Sequence, residues 1–283
     1  MKKGIEKLLI FDIMGPFAHF RKYYTNASSL SYGIPPRTVI AGIIAGILGI
    51  ERDNYYDIFA VHNTKIAVSL RSGFRRMMQK INYYNIEMKN KSLRYQVPVE
   101  ILVPQDKDGE VKYRIYFYNE TYLDSLYQRL RDKRYFFNPY LGLSEFLADI
   151  DLVDYTGEGG SRTSIEPVIP GEHEIPVSTC FKKNCVKEFK FKNTGETDLQ
   201  YMVERMPVNF KNTPRLTKNG KPKFDKNGKA EIERRELHLF DNFIYETNLN
   251  PVTAIFKPTV EIYHIDYKGN EEPENIIFLE SWT

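Results

Sequence analysis

Between residues 71 and 94 the chain carries Arg71, Arg75, Arg76, Lys80, Lys89, Lys91 and Arg94 against a single acid, Glu87. Tyr83 and Tyr84 lie in the same stretch and Tyr95 follows it. Cations interleaved with flat rings suit single-stranded nucleic acid, because the cations neutralise phosphates and the rings stack on splayed bases. For Tyr83 and Tyr84, packing against a partner protein is an equal reading. Two further basic stretches hold Lys182, Lys183, Lys187, Lys190 and Lys192, and run from Lys211 to Arg235, while the tail is acidic at Glu271, Glu272, Glu274 and Glu280. Net charge is only +3, so the distribution of charge, not its total, points to a polyanionic partner, with solvated surface loops an equal reading for each cluster taken alone.

A second candidate lies in "SYGIPPRTVIAGIIAGILGI", residues 31–50. Pro36 fits a first helical turn, where its missing N–H is no loss, and Gly49 fits a C-terminal stop. The positive end of such a helix favours a phosphate, with Arg37 beside it and Ser31 and Tyr32 as hydroxyl donors. The alternative for Arg37, and for Arg21, is an ion pair inside the fold. The apolar run Val39–Ile50 falls well short of the roughly 20 residues a membrane helix needs. No Lys-Ser or Lys-Thr pair follows a glycine loop, which excludes a nucleotide P-loop.

Other chemistries find less support. Metal-independent RNA cleavage needs a base at a ribose 2′-hydroxyl and a cation over the developing charge. Of His19, His62, His173, His238 and His264, only His19 stands near Arg21 and Tyr32, and none pairs with an adjacent lysine; otherwise His19 is a hydrogen-bonded turn residue. Alternation puts Asp149 and Asp151 on one strand face and Asp154 on the other, so no metal cluster forms. Cys180 and Cys185 are too few for a disulfide framework or a zinc site and are expected to be reduced thiols. No cofactor is expected, and with no charged-then-apolar leader and no long apolar span, the expected location is the cytoplasm.

These residues need elements to position them. "KLLIFDIM" (7–14) predicts a buried strand ended by Gly15-Pro16, followed by the 36–49 helix with small faces at Ala41/Ala45 and Gly42/Gly46 lying close to a sheet. Residues 57–72 predict a second strand region, and 73–97, lacking a clean apolar face, a projecting hairpin. Residues 97–119 predict a hairpin turning at Asp108-Gly109, 120–133 an amphipathic helix, and 145–155 a strand. That order matches the split βαβ plan of ferredoxin-like domains, and hence an α+β fold. "TGEGGSR" (156–162) reads as a boundary between a domain at 1–155 and a mainly β region at 156–283. Within the latter, Lys-Asn-Gly-Lys occurs at 218–221 and again at 226–229, marking an exposed, mobile basic loop at about 211–235.

"FDIMGPFAHFRKYYTNASSLSYGIPPRTVIAGIIAGILGI" resembles the N-terminal signature of the Cas-five family, a subunit of type I CRISPR interference complexes (Cascade). The match runs through a strand ending in Gly-Pro-x-Ala, Phe20-Arg21, Ser31-Tyr32, Pro35-Pro36-Arg37 and the glycine-studded helix. "RYFFNPYLGLSEFLADI" (134–150) resembles a second family block centred on Tyr140-Leu141-Gly142. The likeness covers about the first 155 residues and is nearest the type I-B branch. It implies an RNA-recognition-like fold with a β-hairpin thumb, here about residues 73–97, although the aromatic RNP1 pattern is missing. It also implies binding of the 5′ handle of the guide RNA (crRNA) in an antiviral ribonucleoprotein. Large and backbone subunits would be partners, and target DNA would be met in the assembled complex, with no membrane involved. The RNA-contact set is then Arg21, Lys22, Ser31, Tyr32, Arg37, Arg71, Arg75, Arg76, Lys80, Arg94 and Tyr140. In the type I-C branch the subunit itself cuts precursor guide RNA with tyrosine, lysine and histidine, which makes a metal-independent endoribonuclease the alternative. A scaffold binding only protein would leave the cationic segment unexplained.

Overall fold

The computed structural model describes residues 5–84, 94–157, 164–189, 199–226, 228, 230–267 and 272–281. The first half comprises β1 (Leu9–Gly15), β2 (Phe20–Arg21), β3 (Ser31–Tyr32), α1 (Arg37–Leu48), β4 (Thr64–Leu70), β5 (Phe74–Tyr84), β6 (Arg94–Pro104), β7 (Val111–Asn119), α2 (Leu123–Arg131) and β8 (Asp149–Tyr155). The second half continues with β9 (Ser164–Val168), β10 (Ile175–Val177), β11 (Phe181–Lys182), β12 (Val186–Glu188), β13 (Tyr201–Pro214), β14 (Ile232–Glu246), β15 (Val252–Phe256), β16 (Ile262–Asp266) and β17 (Glu274–Ile276). The fold is α+β, with α1 and α2 the only α-helices among the described residues.

β1 is buried along its whole length, and the sheet around it shows why. Four antiparallel strands lie in the order β4-β7-β1-β8. Leu9, Phe11 and Ile13 point to one face, where Ile40, Ile44 and Ile47 of α1 and Leu123, Leu126 and Leu130 of α2 complete a core. Leu8 and Ile10 point to the other, where Tyr263, Ile265, Ile276 and Phe278 cover them. A strand covered on both faces needs a near-continuous apolar run in place of alternation, which is what "LLIFDIM" supplies.

α1 runs from Arg37 to Leu48 with Pro36 at its N-cap and Gly49 left-handed (φ 79°) at its C-cap. A Cβ at Gly49 would come within 2.7 Å of the Phe136 ring, so glycine answers both the turn and the close approach. The small faces divide differently from expectation. Ala41 and Ala45 are buried in the core, but Gly42 and Gly46 are only half-buried and line a groove of about 750 Å³ with Tyr55, Phe137, Tyr140 and Phe210.

The expected hairpin over 97–119 is corrected. The chain does turn at Asp106–Gly109, but β6 pairs with β5, from Phe74↔Pro104 to Tyr84↔Arg94, while β7 pairs with β4 and β1. The β5–β6 hairpin is thus inserted between two sheet neighbours and continues their ladder through Arg71 N–H to Lys112 O and Gln105 N–H to Gly73 O. It starts near the expected residue 73 and returns to Pro104, beyond the expected 97.

Beyond residue 156, strands form three-stranded sheets β10-β15-β12, β11-β14-β13 and β17-β16-β9. The basic segment expected as a loop at 211–235 is in part the ribbon β13–β14, paired from Tyr201↔Glu246 to Pro214↔Ile232. Met206, Val208, Phe243, Tyr245 and Leu279 enter the same core as α1, so the C-terminal region helps to close the N-terminal hydrophobic interior. No helix among the described residues is long and apolar enough to cross a membrane.

Candidate nucleic-acid interface

Arg37 does not face solvent. It is 2 % exposed, and its Nε donates to the buried Glu280 carboxylate. Nη2 donates to Thr64 O at 3.0 Å and Nη1 to Val208 O at 3.4 Å. Glu280 also accepts the Ile66 amide at 3.0 Å. The guanidinium therefore ties the start of α1 to β4, β13 and the C-terminal segment. A phosphate at the helix mouth would have to displace a buried ion pair, and the expected contact at Arg37 is corrected to a structural role.

Four more of the expected contacts fall into one internal network. Glu204, 4 % exposed, accepts from Gly33 N at 3.0 Å, Tyr245 OH at 2.9 Å, Lys22 Nζ at 2.8 Å and Arg76 Nη2 at 3.4 Å. Glu100 accepts from Arg76 Nη1 at 2.9 Å and from the Ser31 amide at 2.8 Å. Ser31 Oγ accepts the Phe20 amide and donates to Tyr32 O, and Tyr32 OH donates to Arg205 O. Burial, and then the nearby tyrosines and Glu204, push the Tyr32 hydroxyl well above its ordinary range. Burial opposes charge on Arg76, but Glu204 and Glu100 outweigh it and hold the group more firmly protonated. Ser31 and Tyr32 are thereby buried in the fold, while Lys22 and Arg76, with side chains still 15 % and 26 % exposed, are held by internal carboxylates. Arg71 follows them: its Nη2 donates to both Glu274 oxygens at 2.7 Å and to Tyr116 OH at 2.8 Å.

Arg21, Arg75, Lys80 and Tyr140 stay open to solvent. Arg21 makes one bond, to Thr25 O at 3.2 Å. Arg75 and Lys80 have no ion-pair partner among the described residues. Strand alternation puts them on opposite faces of the hairpin, opposite Val103 and Pro98 respectively, so they cannot line one straight phosphate track on a single face. The side chains of Tyr83, Tyr84, Arg94 and Tyr95 lie outside the described residues. Tyr140, 45 % exposed, stands at the rim of the α1 groove.

The catalytic alternatives meet their own geometry here. His19 is buried, with Nδ1 on Glu100 O at 2.7 Å and Nε2 on Ser29 Oγ at 2.8 Å. Burial, with a smaller push from Arg21, holds its imidazole below the usual range. Among the described residues, no group of three or more His, Cys, Asp or Glu is placed to hold a metal. Cys180 and Cys185 are buried free thiols. In the second basic stretch, Lys182 is buried beside Asp241 at 3.7 Å, and Lys190 and Lys192 lie outside the described residues.

One cluster escaped the sequence. Tyr23 and Tyr24, exposed on the turn after β2, pack on each other, Tyr23 meets Phe240 of the β13–β14 ribbon, and Arg205 of that ribbon lies over the Phe240 ring. "RKYY" was a legible signal for cations beside rings; its partners lie more than 180 residues away and left no local trace.

A family model described as CRISPR-associated protein (Cas_Cas5) matches residues 8–225. No curated protein matches the chain. Among solved structures, the chain is similar to one from a CRISPR RNA-guided surveillance complex at 12 % identity, covering 88 % of this chain and 92 % of that one, with a TM-score of 0.46. It is similar also to a chain of the type III-B Cmr-beta complex bound to cognate target RNA and AMPPnP, at 13 % identity, 87 % and 86 % coverage, and a TM-score of 0.40.

Proposed function

The chain belongs to the CRISPR-associated Cas5 family, and from that premise we propose that it is a non-catalytic subunit of a type I CRISPR interference complex, nearest the type I-B branch, which binds the 5′ handle of the guide RNA. Large and backbone subunits would assemble around it to recognise target DNA. The strand order β4-β7-β1-β8 with α1 and α2 as crossovers supports reading the sheet as ferredoxin-like. The β5–β6 hairpin then takes the part of the thumb.

The observation that carries the reading is this hairpin, inserted between sheet neighbours and bearing Arg75 and Lys80 in the open. Both faces of the four-stranded sheet are covered, so RNA has no sheet face to stack on. Contact must come from the hairpin and from exposed edges. There cations neutralise phosphates, and each phosphate engaged releases counterions. Catalysis needs a base free to take a proton; His19 has both ring nitrogens engaged and is disfavoured as a proton acceptor by burial.

The test is end-labelled repeat RNA incubated with the purified protein in EDTA and resolved by denaturing electrophoresis. The reading expects binding without cleavage. Site-specific cutting abolished both by a 2′-deoxy substitution at the cut position and by His19→Ala would establish the endoribonuclease instead.

A further inference from the structure

The turn after β2 reads Arg21-Lys22-Tyr23-Tyr24-Thr25. Lys22 points inward to Glu204 at 2.8 Å, and its neighbours point out. Tyr23 is 38 % and Tyr24 51 % exposed. The Tyr23 ring lies 5.1 Å from Tyr24 and 4.6 Å from Phe240, centroid to centroid. Tyr23 therefore joins two segments distant in the chain, meeting Tyr24 edge to face (86°) and Phe240 at a tilt of 40°. The Arg205 guanidinium sits 5.8 Å from the Phe240 ring at one end. Arg21, exposed, closes back on the same turn through Thr25 O.

The ribbon register sets which charges share the face of these rings. Arg205 pairs with Asn242 and Pro207 with Phe240 across the ribbon, which puts Arg205 and Phe240 on one face. Asp241 falls on the other face and is engaged by Lys182 at 3.7 Å. Glu204 is buried and filled with donors. By the same alternation Glu236 and Glu246 share the face of Phe240, but Glu246 is buried and takes the Gln200 and Asn250 amides and Glu236 stands opposite Lys211, so Arg21 and Arg205 have no ion-pair partner among the described residues.

We infer that Tyr24, Tyr23 and Phe240, flanked by Arg21 and Arg205, form a stacking platform for unpaired bases of single-stranded RNA, distinct from the β5–β6 hairpin. This rests on the guide-RNA-binding reading and adds to it a place where bases, not only phosphates, are held. Exposed tyrosine faces accept any base, so the platform is tolerant of sequence but demands an unstacked strand. Arginine at its edge serves both a phosphate and a ring face. A duplex, whose bases are already stacked, offers the rings nothing.

The experiment is fluorescence anisotropy on the full-length protein with a labelled single-stranded repeat RNA and the same sequence as a duplex. Tyr24→Ala should weaken single-strand binding by about tenfold, the scale of one lost base stack. Tyr24→Trp should hold or tighten it, and duplex binding should change with neither. Arg205→Gln should weaken single-strand binding while flattening its salt dependence. Tyr24 is half exposed, so melting temperature serves as the folding control. An abasic scan of the RNA should find a nucleotide whose removal cancels the Tyr24→Ala loss. Wild-type binding left unchanged by Tyr24→Ala and Arg205→Gln overturns the platform and leaves the guide-RNA reading standing. If those variants instead lose a partner subunit in pull-down with RNA affinity intact, the rings are a protein contact and the inference is wrong. No RNA binding by the wild type would overturn both readings.

Discussion

Removing the Arg37 guanidinium should unfold the protein before it affects RNA. The side chain is enclosed, and its donors go to Glu280, Thr64 O and Val208 O. Arg37→Ala leaves Glu280 as a buried anion without its cation, and truncating one partner of a buried pair costs about 3–5 kcal/mol. At about 2–4 °C per kcal/mol for a chain of this size class, the melting temperature should fall by about 6–20 °C. Replacing both partners tests the reasoning more sharply. Glu280 also accepts the Ile66 amide, so glutamine, which keeps an acceptor, is a better exchange than leucine. Arg37→Met with Glu280→Gln should recover most of the loss, because an apolar stem and a neutral amide leave no charge stranded. Differential scanning calorimetry gives the first readout, and RNA anisotropy well below the melting point the second. Weakened RNA binding by Arg37→Gln with an unchanged melting temperature would refute the structural assignment and return Arg37 to the interface.

Three further outcomes are expected. Asp12 is buried, and although burial opposes its charge, Arg114 and Lys112 hold its carboxyl below the ordinary value of 3.8. A depressed folded pKa contributes stability that is fully present above the unfolded value and is lost as pH falls through the folded one. Asp12→Asn should therefore destabilise at pH 7 and close the gap with wild type in acid titrations below about pH 4; an equal gap at both ends would sink the assignment. Arg75→Ala with Lys80→Ala should flatten the log K against log salt slope for single-stranded RNA by roughly 1.4, about 0.7 for each phosphate released, and an unchanged slope would move both residues off the RNA. Gly142 has φ 94°, and a Cβ there would stand 1.8 Å from His19 O. Gly142→Ala should thus lower the melting temperature markedly, since strain and a backbone clash coincide.

Local features were the legible ones. β1, the start and stop of α1 at Pro36 and Gly49, and the leucine face of α2 each carry their cause within a few neighbouring residues. The turn at Asp106–Gly109 was legible too, but which strand β6 would join was not, because that depends on β5 continuing the β4–β7 ladder. The internal partners of the expected site were hidden for a similar reason. Arg37 meets Glu280 across 243 residues, and Arg76 meets Glu204 across 128. A run of cations on a strand looks the same in sequence whether its acids lie in solvent, in a partner or at the other end of the chain. Arg75 alternates to the strand face opposite Arg76, and Lys80, two residues beyond the Met78↔Glu100 pair, has no ion-pair partner among the described residues. The C-terminal region, matched only loosely by resemblance, turned out to supply Glu204, Glu274 and Glu280, the carboxylates that engage four of the expected RNA contacts, Lys22, Arg37, Arg71 and Arg76.

The guide-RNA-binding claim itself is tested most directly by the RNA that accompanies the protein. The complex should be purified from its native cells through a tag on this chain, and the bound RNA sequenced from its 5′ end. The account predicts a population sharing one constant, repeat-derived 5′ tag followed by variable sequence, with this chain crosslinked to the tag. Heterogeneous RNA with no common 5′ end, or crosslinks confined to the variable portion, would contradict it.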